Sequence, residues 1–234
     1  MNKQIFLPGL RKQLKQLIEF TNVSGLNVLV IGASSVEIAE KFSTKTGKEV
    51  EMIVEDYDSL INSKIELSKD SKVNIKLMNF ELTDYSDSQF DLIYAQASIS
   101  TSRRNKIVKE IKRILKSEGL FSLGEIVNLQ ENAPPFVENI YSGSDLKPLF
   151  IDELETYYST RDFQIVLKEN FSATLHDYYS SNLEQLRKTI DELSDREKSY
   201  YKKLLNRLSH DSKAYLNQGA DKFIGFEAMV LKKK

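Results

Sequence analysis

The alternation of apolar segments with amphipathic segments in the first half of the chain constrains its fold most. Five short runs have the apolar character of strands: residues 28–31, 50–54, 73–78, 91–95 and 120–126. Segments with helical spacing of apolar residues separate them, and residues 102–116 are the clearest helix, with Gly119 expected as its left-handed cap. This alternation predicts an α/β fold with a parallel sheet and right-handed crossovers.

The second half of the chain predicts fewer strands and more helix. It contains, in order, a long connector at 127–150, a helix at 152–160, a strand at 163–168, helices within 182–218 and a last strand at 223–231. Two Ser-x-x-Glu sequences, at Ser181 and Ser194, predict the starts of the two helices within 182–218. These helices therefore form an insertion between the last two strands.

Composition narrows the kinds of site and partner. The net charge of −1 provides no global field that would attract nucleic acid or an anionic membrane. The absence of cysteine excludes disulfides and thiolate-bound zinc, and the two histidines, His176 and His210, have no ligand spacing. No stretch approaches the roughly 18 consecutive apolar residues of a membrane span. We therefore expect a cytoplasmic protein without a metal site, and the sequence indicates no oligomeric state.

The turn after the first apolar run is the first candidate binding site. Gly32, Ala33, Ser34, Ser35 and Val36 connect the predicted strand to the predicted helix. A helix N-terminus favours an anionic or polar ligand, and small residues permit close approach of the backbone. Because a β-branched residue resists positive φ, Val36 prevents an atom-for-atom copy of a glycine-rich loop.

Two further segments lie at the ends of predicted strands. Glu55 ends the second strand, and an acid about 20 residues after such a turn commonly accepts hydrogen bonds from ribose hydroxyls. Glu55 alone could equally be an acid that favours the next helix dipole, for which Asp58 is the expected cap, but the turn favours the ribose interpretation. Asn79 and Phe80 could contact an adenine ring, although in isolation a loop asparagine beside a core phenylalanine is the better interpretation.

The chain resembles the class I S-adenosylmethionine-dependent methyltransferases over essentially its whole length. The strongest resemblance is SDSQFDLIYAQASIS (86–100) followed by KEIKRILKSEGLFSLGEI (109–126), which are similar to the family's phrases around its fourth and fifth strands. FLPGLRKQLKQLIEF (6–20), DELETYYSTRDFQIVLKENF (152–171) and GFEAMVLKKK (225–234) lie where family members have equivalents. The resemblance implies a Rossmann-like, doubly wound, mainly parallel seven-stranded sheet with helices on both faces and a helical insertion before the last strand.

The resemblance also implies a cofactor, S-adenosylmethionine, and residues that bind it. These are Gly32, Ala33 and Ser34 at the methionine part, Glu55 with Asp56 and Tyr57 at the ribose, Asn79 and Phe80 at the adenine, and Gln96 near the sulfonium. The chain departs from the family pattern at several of the same places. Val30 and Asn79 stand where aspartates are usual, Ser34 and Val36 replace glycines, and Ser117-Glu118 replaces Pro-Gly.

The resemblance divides a single domain, 1–234, into five parts. They are an N-terminal helix or lid (1–25), a cofactor-binding core (26–126), a connector and sixth strand (127–181), the helical insertion (182–218), and the last strand with a basic tail (219–234).

The expected activity is methyl transfer to a small-molecule acceptor. The residues expected near the acceptor are Glu125, His176, Tyr178 and Tyr179, and no catalytic residue is assigned. The altered turn favours an alternative, a catalytically inactive protein of the same fold that serves as a binding module or as a subunit of a complex. The phrase VLVIGASS (28–35) is also similar to the opening of short-chain dehydrogenases, but no tyrosine has the lysine four residues later that those enzymes need.

Overall fold

The structure, a computed structural model, describes residues 5–234. Its strands are β1 (Val28–Ile31), β2 (Val50–Val54), β3 (Val73–Leu77), β4 (Phe90–Gln96), β5 (Leu115–Asn128), β6 (Leu149–Phe150), β7 (Phe163–Asn170) and β8 (Ile224–Lys233). Its helices are α1 (Lys12–Phe20), α2 (Val36–Thr46), α3 (Tyr57–Glu66), α4 (Arg104–Ile114), α5 (Pro135–Gly143), α6 (Leu154–Ser159), α7 (Thr174–Glu192) and α8 (Asp195–Asn217).

The strands form one sheet in the order β3-β2-β1-β4-β5-β8-β7, and the short β6 pairs with β5. β8 runs antiparallel to both β5 and β7, whereas the pairs among β1 to β5 are parallel. The chain progresses outward from β1 through β2 to β3 and then returns to β4 on the other side of β1. The strand order therefore reverses between β1 and β4, where ligands of open α/β sheets bind beyond the carboxyl ends of the strands.

Helices cover both faces of the sheet, which confirms the predicted fold class. Leu29 and Ile31 of β1 pack in a core with α4 and α6, while Val28 and Val30 pack in a second core with α1 and α2. The continuous apolar run Val28–Ile31 is thus explained by burial on two faces. A third core joins α5, α7 and α8 to the β5–β8 region.

Three local expectations were wrong. The helix expected at 102–116 ends at Ile114, and Glu118, not Gly119, takes the left-handed conformation (φ 63°). The register between β4 and β5 shifts there: Phe90 pairs with Leu115 and Leu92 pairs with Leu120, so extra residues bulge from β5. The chain therefore returns to the sheet directly after the helix instead of passing through a capped turn.

The other two wrong expectations concern helix starts. Asp56, not Asp58, caps α3, because its side chain accepts a hydrogen bond from Ser59 N at 2.7 Å. Ser181 starts no helix, since α7 continues through it from Thr174. The connector at 127–150 contains α5, which has Pro135 at its first position, where proline is favoured.

Two structural findings concern membranes and metals. No helix within residues 5–234 combines the length and the apolarity that crossing a bilayer requires. Over the same described residues, no group of three or more His, Cys, Asp or Glu side chains is placed to hold a metal ion.

Candidate functional site

The turn between β1 and α2 places two residues in left-handed conformations. Gly32 has φ 123° and Ser34 has φ 58°, while Val36 begins α2 as an ordinary helical residue. Gly32 N donates to Ile53 O at 3.0 Å, which holds the turn beside the end of β2. The chain therefore tolerates Val36, because the positive φ falls at Gly32 and Ser34 instead.

Ser98, which follows β4, lies directly against Gly32. A Cβ at Gly32 would lie 2.6 Å from Ser98 Cβ, closer than side chains approach. Ser98 Oγ donates to Ile31 O at 2.8 Å and so ties the loop after β4 to the end of β1. Only glycine fits at position 32, both for its φ and for this contact.

Glu55 lies just beyond the end of β2 and is held by two neighbours. Its Oε1 accepts hydrogen bonds from Phe80 N at 2.9 Å and from Arg103 Nη1 at 2.8 Å, and its Oε2 accepts one from Arg103 Nη2. This is the two-pronged pairing that guanidinium and carboxylate groups favour. Sequence reasoning identified Glu55 but missed Arg103, which comes from the start of α4 and is far from Glu55 in the chain.

The hydrogen bonds keep the Glu55 carboxylate ionised. Partial burial alone would raise the pKa of Glu55, but the bonds from Arg103 and from Phe80 N outweigh it, so the pKa lies below its usual value. Arg103 also pairs with Glu81, at 3.4 Å. Glu55 is thus an anionic hydrogen-bond acceptor at the carboxyl end of β2, and it already forms an ion pair with Arg103 of the same chain.

The other residues expected at the ribose and adenine have the following environments. Asp56 caps α3, and Tyr57 is 70% exposed in the first turn of that helix. Asn79 Oδ1 accepts a hydrogen bond from Glu81 N at 2.8 Å. The Phe80 ring is buried in the core that also contains Ile53. The structure thus brings Glu55 and Phe80 together, and their contacts with an adenosine stay predictions.

Gln96, at the end of β4, is buried and fixes the N-terminal segment. Its Nε2 donates to Pro8 O at 2.7 Å and to Leu10 O at 2.9 Å. Its Oε1 accepts from Tyr94 Oη at 2.6 Å. The side chain expected near a sulfonium therefore uses its amide to hold residues 5–11 over the carboxyl end of β4.

Glu125, expected near an acceptor, is fully buried in β5 as part of a hydrogen-bonded network. Arg104 Nε lies 2.9 Å from both carboxylate oxygens, and Tyr158 Oη donates to Oε1. Arg104 Nη2 also donates to Lys147 O at 2.8 Å. The network joins α4, β5, α6 and the connector, so contact of Glu125 with an acceptor stays a prediction that requires this network to open.

The other three residues expected near an acceptor lie on α7 in different environments. The His176 side chain is 71% exposed, beside Asp177. Tyr179 is buried and its ring stacks on Tyr215, with centroids 4.4 Å apart. Tyr178 lines a cavity of about 570 Å³ that also contains Ser34 of the β1–α2 turn. Of the four, Tyr178 is therefore the one that the structure brings to the turn.

Comparison with known proteins agrees with the resemblance seen in the sequence. Residues 29–123, from β1 into β5, match a protein family described as a methyltransferase domain. No curated protein matches the chain.

Solved structures share the fold over nearly the whole chain. The [4+2]-cyclase SpnF has a TM-score of 0.74 at 16% identity, over 94% of this chain and 80% of that one. A putative sarcosine dimethylglycine methyltransferase from Galdieria sulphuraria has a TM-score of 0.71 at 14% identity, over 95% and 84%. Haemonchus contortus phosphoethanolamine N-methyltransferase 2, in complex with phosphomonomethylethanolamine and S-adenosylhomocysteine, has 0.76 at 14%, over 97% and 54%. At these identities the likeness establishes the fold, and chemistry must be argued from the site.

Proposed function

We propose that the protein transfers a methyl group from S-adenosylmethionine to a small-molecule acceptor. The premise is that residues 29–123 match the methyltransferase-domain family and that the chain has the class I S-adenosylmethionine-dependent methyltransferase fold. The observation that carries the proposal is the ionised Glu55 carboxylate beside the Gly32 turn, at the point where the strand order reverses. An anionic acceptor next to a glycine of positive φ is the arrangement that binds an adenosine-type cofactor in such sheets.

The residues at this edge fit S-adenosylmethionine in kind. Glu55 offers carboxylate oxygens to the ribose hydroxyls, and Gly32 lets the ligand approach the backbone closely. Ser34 and the first amides of α2 offer donors to the methionine carboxylate. When bound, S-adenosylmethionine supplies a methyl group on an already activated sulfonium, so holding the acceptor in line provides most of the rate enhancement. We assign no general base.

Binding of the ribose brings further donors to the Glu55 carboxylate that Arg103 already holds. Both carboxylate oxygens already accept hydrogen bonds from Arg103, and Ser98 lies against Gly32. Arg103 is 36% exposed, so its side chain has solvent into which it can move. We infer that Arg103 releases at least one oxygen of Glu55 when the cofactor binds.

The same contacts favour a second candidate function, a binding module of this fold that uses no methyl donor. In that case the Glu55–Arg103 pair and the Ser98–Gly32 contact close the cofactor site permanently. The [4+2]-cyclase SpnF, which shares the fold, illustrates that this fold also serves other chemistry.

Calorimetric titration separates the two functions. We expect micromolar binding of S-adenosylmethionine and S-adenosylhomocysteine, and none of NADPH. Replacing Glu55 by Gln should weaken binding of both by tenfold or more, because a hydrogen bond to a charged group contributes about 1.5–3 kcal/mol. The exposed Glu49, just before β2, provides the matched control Glu49→Gln, which should bind as the wild type does. Thermal unfolding of each variant checks that it is folded.

The outcome for the wild type decides the proposal. If neither compound binds at millimolar concentration, the methyltransferase proposal is wrong and the binding module remains. A cytoplasmic location and an acceptor other than nucleic acid belong to the proposal as well, in keeping with the near-neutral net charge.

A further inference from the structure

A cavity of about 570 Å³ lies between the β1–α2 turn and the pair of helices α7 and α8. Ser34 lines one end, and Leu186 of α7 with Leu204 and Leu208 of α8 line much of the rest. Its volume falls within the roughly 300–1,000 Å³ of small-molecule sites. Because Ser34 belongs to both the cavity and the turn proposed to bind the cofactor, the cavity adjoins the proposed cofactor site.

The described lining is largely apolar and uncharged. Among the described residues that line the cavity, six are leucine or phenylalanine and none carries a formal charge. An anionic group needs cations or a cluster of donors when it leaves water, and an unpaired charge in an apolar site is costly. Among the described residues, the lining therefore offers no cation to a phosphorylated or carboxylated acceptor.

Polar groups are confined to a few side chains. Ser34, Tyr178, Asn182, Gln185 and Tyr201 are the polar side chains among the described residues that line the cavity. They provide hydroxyl and amide partners for one polar group of a ligand. An apolar pocket with a few placed polar groups orients a ligand by that group and binds it by its apolar body.

The rim of the cavity exposes apolar surface that a ligand would cover. Leu204 is 42% exposed, Tyr201 is 42% exposed and Leu208 is 39% exposed, all on α8. A contiguous cluster of exposed apolar side chains commonly marks a site of interaction with a ligand or a partner.

We propose that this cavity binds the methyl acceptor and that the acceptor is a neutral, largely apolar molecule with one hydroxyl or amine directed towards Ser34 and Tyr178. The role of the ligand as methyl acceptor rests on the proposed function, but the chemistry of its binding follows from the cavity alone. It can therefore be tested without the methyl donor.

Straight-chain alcohols test the chemistry. Calorimetric titration with 1-hexanol, 1-octanol and 1-decanol should give dissociation constants that fall about fourfold for each added methylene, since each buried CH₂ contributes a constant increment. Decanoate, which has a charged group on a chain of similar length, should bind at least tenfold more weakly than 1-decanol. Equal affinity for the two, or no dependence on chain length, would overturn the proposal.

A charge placed in the lining tests the location. Leu204→Lys should weaken 1-decanol by about tenfold or more, because the substitution removes apolar contact surface and adds a hydrated cation. The same substitution should reduce the difference in affinity between decanoate and 1-decanol, since the lysine provides a counter-charge for the carboxylate. Leu82→Lys is the matched control, because Leu82 is 75% exposed and does not line the cavity. If both lysine variants bind 1-decanol as the wild type does, the site lies elsewhere.

Two measurements separate this inference from the proposed function. Binding of S-adenosylhomocysteine without binding of any alcohol would overturn the acceptor inference and leave the methyltransferase proposal intact. Binding of alcohols at the cavity without binding of S-adenosylhomocysteine would overturn the methyltransferase proposal, and with it the acceptor role, and would leave only an apolar ligand site. Sedimentation of the wild type and Leu204→Lys covers another occupant: if the wild type is a dimer and the variant a monomer, the apolar face joins two copies of the chain and the acceptor inference is wrong.

Discussion

The Glu55 carboxylate accepts hydrogen bonds from Phe80 N and from both terminal nitrogens of Arg103. A ribose hydroxyl is proposed to donate to the same carboxylate, so the arginine and the ligand compete for the space beside it. Partly exposed ion pairs contribute up to about 1 kcal/mol, which corresponds to a factor of about five in an equilibrium constant. The ion pair of Arg103 with Glu55 thus lowers the net binding free energy of the ligand by the free energy needed to open the pair.

Replacing Arg103 by Met should therefore tighten S-adenosylhomocysteine binding by about fivefold. Lys106→Met is the control. Lys106 pairs with Glu81 at 3.2 Å, so this substitution removes a nearby positive charge without changing a partner of Glu55. Calorimetry of the two variants beside the wild type gives the comparison. Weaker binding in Arg103→Met alone would mean that the guanidinium acts with the ligand and not against it.

Some site residues could be predicted from the sequence, and their local setting explains why. Gly32 and Glu55 follow directly after apolar strands, so their positions at the sheet edge depend on the strand pattern alone. Ser98 and Arg103 reach the same edge from beyond β4, and Arg104 buries the Glu125 carboxylate from the start of α4. These contacts depend on tertiary packing between distant segments, which no periodicity in one chain encodes.

At the scale of helices and strands, the same Ser-x-x-Glu pattern predicted one helix start and failed at another. Ser194 and Glu197 form the reciprocal capping bonds that start α8. Ser181 lies inside α7, because the apolar face that begins at Leu175 and Tyr179 continues to Leu186 and keeps the helix unbroken. A capping signal is local, and burial of a longer apolar face overrides it.

The side chain of Gln96 joins the N-terminal segment before α1 to β4, beside the packing of Ile5 in the core that contains Leu92 and Tyr94. Gln96 Nε2 donates to two carbonyls of the segment, those of Pro8 and Leu10. A leucine at position 96 would leave both carbonyls and Tyr94 Oη without this partner, at a cost of about 1–3 kcal/mol for each buried group left unsatisfied. The segment should then open more often than the rest of the molecule does.

Gln96→Leu should accelerate tryptic cleavage after Arg11 or Lys12 by about tenfold, with little change in cleavage elsewhere. Gln164→Leu provides the control for the substitution type, because Gln164 lies exposed on β7. Mass spectrometry of the early fragments identifies the cut. Uniform acceleration across the chain would instead indicate loss of global stability, and no acceleration would show that the segment is held by its other contacts.

At the scale of the whole molecule, the fold was predicted from the sequence more completely than the site, because a strand buried on both faces of a sheet is apolar throughout. Alternate residues of β1 enter two separate cores, so the apolar runs reported the sheet directly. Buried carboxylates also form hydrogen bonds between segments that are distant in the sequence, and the pattern of apolar residues does not predict these bonds. Glu110 of α4 accepts hydrogen bonds from Thr83 N at 2.8 Å and Arg113 Nε at 2.9 Å, and it fastens the loop after β3 to the helix.

The carboxylates have opposite effects on stability as pH changes. Burial raises the pKa of Glu110, but bonds from Arg113 and Thr83 outweigh it and hold the pKa below 4.5. Its contribution to stability is therefore complete above pH 4.5 and is lost as pH falls through the lower folded value. Asp211 and Glu227 have pKa values raised mainly by burial, so their unfavourable charged forms are relieved as pH falls. Glu55, Asp91 and Glu110 all have lowered values and contribute in the opposite sense.

Glu110→Gln should lower the free energy of unfolding by about 2 kcal/mol at pH 7, because charged hydrogen bonds become neutral ones. The difference from the wild type should persist down to about pH 5 and shrink as the wild-type carboxylate is protonated below pH 4.5. Urea unfolding at pH 7, 5, 4 and 3 measures it, with the exposed Glu169→Gln as the control that should match the wild type at each pH. A Glu110→Gln difference that stays constant to pH 3 would show that packing of the side chain, and not its charge, joins α4 to the loop after β3.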